Sequence, residues 1–200
     1  MTADKPFGTR DPLAAAEVIL AETRRVACAV NSAKASKLVD EIERAKRVYV
    51  AGMGRSGLIA GAFAMRLVHL GFQAHVAGEM TAPAVASGDL FIAVSGSGKT
   101  RTIVAQAEAA LRAGAHIGAV TALRDSPLAD VVGKSGGVML LIPAALGIRH
   151  AAEGLVATAQ YGGSLFEQST LLYLDGLVLV MAARQNKTES DMLSRHANLE

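Results

Sequence analysis

Tryptophan is missing from this 200-residue chain, cysteine occurs once, and aromatic residues make up only 4% of it. The lone Cys28 excludes an internal disulfide and fits a reducing compartment; it is expected to be a helix residue facing the core. An excess of either charge is also missing. Twenty basic residues against 18 acidic ones leave a net +2, and the basic ones are dispersed, so there is no footprint for DNA or RNA. The longest apolar run, "LLYLDGLVLVMAA" at 171–183, is too short to span a bilayer and contains Asp175. It reads as a buried helix. The opening "MTADKPFGTRDP" has no apolar stretch of the kind a secretory signal requires. Together these absences point to a soluble cytoplasmic protein with no membrane or nucleic-acid partner.

What is present is an Ala-, Gly-, Val- and Leu-rich chain, 51% apolar, long enough for one domain with a sizeable core. Asp11-Pro12 reads as an N-cap followed by proline at the first helical position, opening a helix over 13–30; a second covers 32–45. From Lys46 the pattern changes to strand, glycine loop and helix. "RVYVA" is followed by "GMGRS", "GLIAGAFAMRLVHL" and a second strand, "FQAHVAG". "DLFIAV" then opens the same series again, through "GSGKT" and "RTIVAQAEAALRA" to "HIGAVTA". Gly52-x-Gly54-x-Ser56 recurs as Gly96-x-Gly98-x-Thr100 at a constant spacing of 44 residues, an internal duplication. "GVMLLIP" is a fifth strand. A long connection over 144–163, a long helix from Ser164 and a short C-terminal helix complete the chain.

Five strands alternating with helices predict an α/β fold: one parallel sheet covered on both faces. The expected division is a helical segment over 1–45 and the sheet-bearing domain over 46–200. Ligands of such sheets bind beyond the carboxyl ends of the strands at a topological switch point, where both glycine loops would lie.

The segment "AVSGSGKT" ends as a nucleotide-triphosphate loop does, but Ala93 stands where that motif has its first glycine. Ala93 belongs to the apolar run "LFIAV", which leaves only Ser95, Gly96, Ser97 and Gly98 to form the turn. They are too few to wrap a polyphosphate, and no later strand ends in the Asp that would hold magnesium. A single monoester phosphate fits better. Open amides at a helix start, hydroxyls of Ser95, Ser97 and Thr100, and glycines that admit close approach all favour it. The bland alternative is that these residues only cap a helix and make a turn. His69, His75, His116, His150 and His196 show no metal-ligand spacing, so neither metal nor cofactor is expected.

"AGMGRSGLIAGAFAMRLVHLGF", "HVAGEMTAPA", "DLFIAVSGSGKT", "GSLFEQ" and "RHANLE" resemble the sugar isomerase (SIS) domain family, and within it the hexulose-phosphate branch. The likeness runs from about Arg47 to Glu200. It implies a five-stranded flavodoxin-like sheet and a homotetramer with sites near subunit boundaries. It also implies cofactor-free isomerisation between D-arabino-3-hexulose 6-phosphate and fructose 6-phosphate, a step of formaldehyde fixation by the ribulose monophosphate route. Two relatives of the fold stay open as alternatives: a non-catalytic sugar-phosphate sensor, and another isomerase such as one acting on arabinose 5-phosphate. Lys99 departs from the family pattern, in which that loop position is acidic or small.

Moving a ketone from C3 to C2 needs a base, help for a developing oxyanion and an anchor for the phosphate. By resemblance Glu167 is the base, although Ser164-x-x-Glu167 also has the form of a capping box. His196 is implied to reach a neighbour's site and move a proton or polarise an oxygen; by position alone it is a solvated tail residue. Arg55 offers a fork of donors to phosphate or sugar, with Lys99 a second cation. Gly52, Gly54 and Ser56 would line the sugar side, and Glu79 would bind hydroxyls. His69 is expected to be structural.

Overall fold

The computed structural model describes residues 8–148 and 153–198. Two helices come first, α1 (Pro12–Ala29) and α2 (Ser32–Arg44). Then come β1 (Val48–Gly52), α3 (Arg55–Leu70), β2 (Ala74–Val76), β3 (Leu90–Val94), α4 (Arg101–Arg112), β4 (His116–Thr121), α5 (Pro127–Ser135) and β5 (Val138–Leu141). The chain ends in α6 (Ser164–Arg184) and α7 (Glu189–Leu193). The five strands form one sheet in the order β2-β1-β3-β4-β5, parallel throughout. After β2 the chain returns across β1 to begin β3, so the switch point lies between β1 and β3. Both glycine loops open there, as the duplication requires.

Strand alternation sorts the core into two layers. Val48, Val50, Leu90, Ile92 and Val94 face α2, α3 and α6, and buried residues of α1 and α2 (Val26, Leu38, Ile42) join the same cluster. The helices before Lys46 therefore share the sheet's core. Tyr49, Ala51, Phe91, Ala93, Ile117 and Ala119 face α4 and α5. Ala51, Ala93 and Ala119 lie in register across three strands, a shallow row against which Ile103 and Ala107 of α4 pack. Parallel strands covered on both sides need such unbroken apolar runs, and β3 is buried along its whole length.

Several boundaries follow from local chemistry. Asp11 accepts from the amides of Leu13 and Ala14 ahead of Pro12, the expected cap. Periodicity marks no helix between the fourth and fifth strands, yet α5 forms there. Its signals are local: Ser126 accepts from the Ala129 amide, Pro127 opens the helix, and Gly136 ends it in the left-handed region. Cys28 faces solvent, contrary to the expectation of a core position. The inward stripe of α1 is Glu22, Thr23 and Val26, and the 100° step per residue turns Cys28 away from it. The apolar run at 171–183 is part of the 21-residue α6, which is long and apolar enough to cross a membrane by length and composition. It packs against α1, α2 and α3 in this fold.

The crossing from β2 to β3, residues 77–89, contains no helix. Asp89, 1% exposed, fixes its end through a bidentate pair with Arg47: Nε–Oδ1 3.0 Å and Nη2–Oδ2 2.7 Å. Asp89 also accepts from the Ala86 amide at 2.8 Å, and Arg47 donates to the Ala84 carbonyl at 3.2 Å. The bond to Asp89 raises the Arg47 pKa above its ordinary value.

Candidate functional site

The two loops at the switch point are unequal. Gly52 pairs with Val94 rather than with Gly96, so only 53–54 separate β1 from α3, whereas 95–100 separate β3 from α4. Gly54 and Gly98 nevertheless keep the duplicated conformation, with φ of 58° and 61°. The first turn is tight: a Cβ on Gly52 would lie 2.6 Å from the Ser56 carbonyl oxygen, so that turn tolerates no side chain. It presents Arg55 at the start of α3, and the half-buried Ser56 beside it. The second loop is the roomier one. Ala93 lies inside β3, as the rejection of a triphosphate loop supposed.

Helix caps separate this end of the sheet from the rest of the molecule. α1, α2, α5 and α7 each have a side chain bonded to a first-turn amide, whereas α3, α4 and α6 have none. Thr100, the N-cap of α4, turns its hydroxyl to Ser95 Oγ at 3.0 Å instead. Among the described residues the amides of Thr100 to Ile103 meet no acceptor. Open first-turn amides at the positive end of a helix dipole form an anion site, and the hydroxyls of Ser95, Ser97 and Thr100 add donors. Lys99 is exposed at the rim, its amide donating to Ser97 Oγ at 3.2 Å.

The third uncapped helix closes the site. Gly163 is the N-cap of α6, so Ser164 lies one position too far along to begin a capping box. The Glu167 carboxylate accepts instead from Arg55 Nε, joining α6 to the first loop. Its side chain is 16% exposed and that of Arg55 62%. Phe166, buried against the core, sets the rotation of α6 that points Glu167 into the cleft. A Cβ on Gly96 would sit 3.0 Å from Phe166 Cδ1 and 2.8 Å from Leu146 Cδ2, so the second loop rests against α6 as well.

Residues that the motifs did not mark support that loop. Thr121 Oγ1 donates to the Gly96 carbonyl at 3.2 Å, and the Leu128 amide donates to that of Gly98 at 3.1 Å. The readable signal for this support was the Ser126-Pro127 helix start. A Cβ on Gly98 would lie 2.2 Å from Ser126 Oγ, and the backbone there is left-handed. Gly98→Ala is therefore expected to destabilise the protein by at least the ~1–3 kcal/mol of a non-glycine residue held in that region. Urea unfolding checks this; an unchanged midpoint would show that the loop is not built as described.

Two expected site residues stand apart. Glu79 is exposed after the edge strand β2, on the far side of β1 from the second loop. His196 stacks on the buried His69 with ring centroids 4.9 Å apart. His69 ends α3, about 21 Å along the helix from Arg55 at 1.5 Å per residue. His150 lies outside the described residues, as do Leu199 and Glu200 of the terminal motif.

Residues 41–131 match the SIS domain family. A Bacillus subtilis protein named 3-hexulose-6-phosphate isomerase is 37% identical over 182 residues, covering 91% of this chain and 95% of that protein. One of the same name from Mycobacterium gastri is 40% identical over 179 residues, covering 90% and 86%. The crystal structure of a hypothetical protein of Methanococcus jannaschii, for which a 3-hexulose-6-phosphate isomerase function is inferred, superposes with a TM-score of 0.77. It is 28% identical, over 94% of this chain and 99% of its own. The two uncapped loops thus lie within a known fold, and the chain belongs to the SIS domain family, alongside the 3-hexulose-6-phosphate isomerases that it matches over nearly their whole length.

Proposed function

We propose that this protein interconverts D-arabino-3-hexulose 6-phosphate and fructose 6-phosphate, within the ribulose monophosphate route of formaldehyde fixation. The observation that carries this reading is the pairing of Glu167 with Arg55, which joins the start of α6 to the first glycine loop while the adjacent Phe166 abuts Gly96 of the second. A phosphate seated on the amides after Gly98 and on Ser95, Ser97 and Thr100 fixes one end of an open-chain sugar. Gly52, Gly54 and Ser56 line its other side, with Lys99 at the margin. Glu167 takes the C2 proton, and the electrons left behind move into the C3 carbonyl to give an enediolate. Returning that proton to C3, while the C2 hydroxyl proton passes to the C3 oxygen, completes the ketone at C2 and the hydroxyl at C3.

Arg55 has two tasks in this scheme. With no substrate bound it pairs with Glu167; with substrate, its exposed guanidinium turns to the phosphate or an oxyanion and leaves the carboxylate a lone pair for the proton. The enzyme works in the cytoplasm as a homotetramer. Apolar side chains left exposed on α3 and α6, Leu58 at 76% and Leu179 at 73%, support association. His196, at the far end of α3 from its own chain's cleft, then serves a neighbour's site. Removal of 196–200 is expected to abolish turnover while leaving circular dichroism and the melting midpoint unchanged; full activity in that variant would remove His196 from the mechanism.

The deciding experiment is a coupled assay that supplies 3-hexulose 6-phosphate and detects fructose 6-phosphate, with arabinose 5-phosphate as control. Conversion of the first alone is expected. Turnover of arabinose 5-phosphate alone, or of neither sugar, would overturn the reading.

A further inference from the structure

The connection over 144–163 runs from β5 to the start of α6, and so carries the backbone that delivers Glu167. It is fastened at two places. The Ala145 amide donates to the Val156 carbonyl at 2.9 Å and the Val156 amide to the Pro143 carbonyl at 2.7 Å, which closes the first part into a loop. The second fastening comes from α1. Glu22, 4% exposed, accepts from Thr158 Oγ1 at 2.7 Å, from the Ala159 amide at 2.7 Å and from Gln160 Nε2 at 2.9 Å. Only Tyr161, Gly162 and Gly163 lie between this clasp and α6.

A carboxylate is costly to bury unless its lone pairs are met, and here three donors from consecutive residues meet them. Burial opposes the charge on Glu22, but the bonds from Gln160, Ala159 and Thr158, with Arg25 nearby, outweigh it and hold the carboxyl below its ordinary pKa. Within the connection Gly162 has a φ of 54°, and Gly163 caps α6 without a side-chain bond. Glycines at this point leave little local stiffness, so the entry into α6 depends on the clasp behind it. Nothing in the sequence pattern connects α1 to the cleft.

We propose that Glu22 is a positioning residue for Glu167: by gripping 158–160 it fixes where α6 begins, and hence where the base stands relative to the bound sugar. This inference rests on the isomerase reading above. It gives the helical segment before the sheet a part in turnover.

The test uses the full-length protein in the hexulose-phosphate assay. Glu22→Gln turns an amide NH2 toward donors, and Thr158→Val removes one donor while leaving α1 intact. Glu22→Gln is expected to lower kcat about tenfold or more, as small misplacements of reacting groups do, with KM within about twofold because the phosphate anchor is untouched. Thr158→Val should shift kcat in the same direction by less. Val26→Ala, a core change on the same helix, provides the comparison: it should lower the melting midpoint but keep kcat at the wild-type value below that midpoint. A wild-type kcat in both clasp variants overturns the proposal, as does a kcat that Val26→Ala lowers equally. If Glu22→Gln does not fold, Thr158→Val decides. A wild-type protein inactive on the sugar would overturn the functional reading and this inference with it, and an active Glu167→Gln would overturn the base assignment that both share.

Discussion

Glu167→Gln is expected to lower kcat by about 10²–10⁴, the usual worth of a positioned general base. The amide keeps the shape of the side chain and still accepts from Arg55, so the ion pair becomes a neutral-acceptor hydrogen bond and α6 stays in place. KM should change little under the proposed scheme, in which the phosphate sits on the α4 amides and on Ser95, Ser97 and Thr100 and not on Glu167. Steady-state kinetics in both directions check this. Near-normal turnover would return Glu167 to the role of a structural partner for Arg55. Exchange of solvent deuterium into the sugar should fall in parallel, since it reports the same proton transfer.

Asp89→Ala is expected to be the most destabilising single change outside the site, at about 3–5 kcal/mol. The carboxylate is buried with two partners, so its removal leaves the Arg47 guanidinium, 24% exposed, with only the Ala84 carbonyl to accept from it, and leaves the Ala86 amide unmatched. Partial access to water puts the cost toward the lower figure. At about 2–4 °C per kcal/mol for a chain of this size, the melting midpoint should fall by about 6–12 °C. The pair lies at the amino ends of β1 and β3, about 16 Å from the loops at 3.3 Å per strand residue. Activity at low temperature should therefore survive. Replacing both partners, Arg47→Met with Asp89→Leu, should recover much of the loss, since removing a buried ion pair whole costs less than orphaning one member. A shift under about 2 °C for Asp89→Ala would mean that the 77–89 crossing is held by other contacts.

Much of the architecture is legible along the chain, for definite reasons. Val48–Gly52 and Leu90–Val94 read as strands because both faces are covered, which demands continuous apolar runs. The repeated Gly-x-Gly-x-Ser/Thr fixes both loops because Gly54 and Gly98 occupy backbone that other residues avoid. The segment at α5 escapes periodicity because a nine-residue helix offers barely two turns of pattern, and its caps are then the only signal. Cys28 is misplaced by composition because burial on α1 depends on which face meets α6. The box-like spacing from Ser164 to Glu167 is misleading for a similar reason: the helix begins one residue earlier than that motif needs, with Gly163 rather than Ser164 as its N-cap.

Sequence alone determined the alternation of strands and helices and the duplicated turns, since these follow from continuous apolar runs and from local sterics at the glycines; the order of the strands came from the tertiary structure. Nor could sequence determine which side chains meet across the sheet. The pairing of Arg55 with Glu167, the seat of Gly98 on Ser126 and the grip of Glu22 on 158–160 join residues far apart in the chain. Their contacts exist only because helix packing on a twisted parallel sheet brings three helix starts together at one edge, and only the tertiary structure decides that.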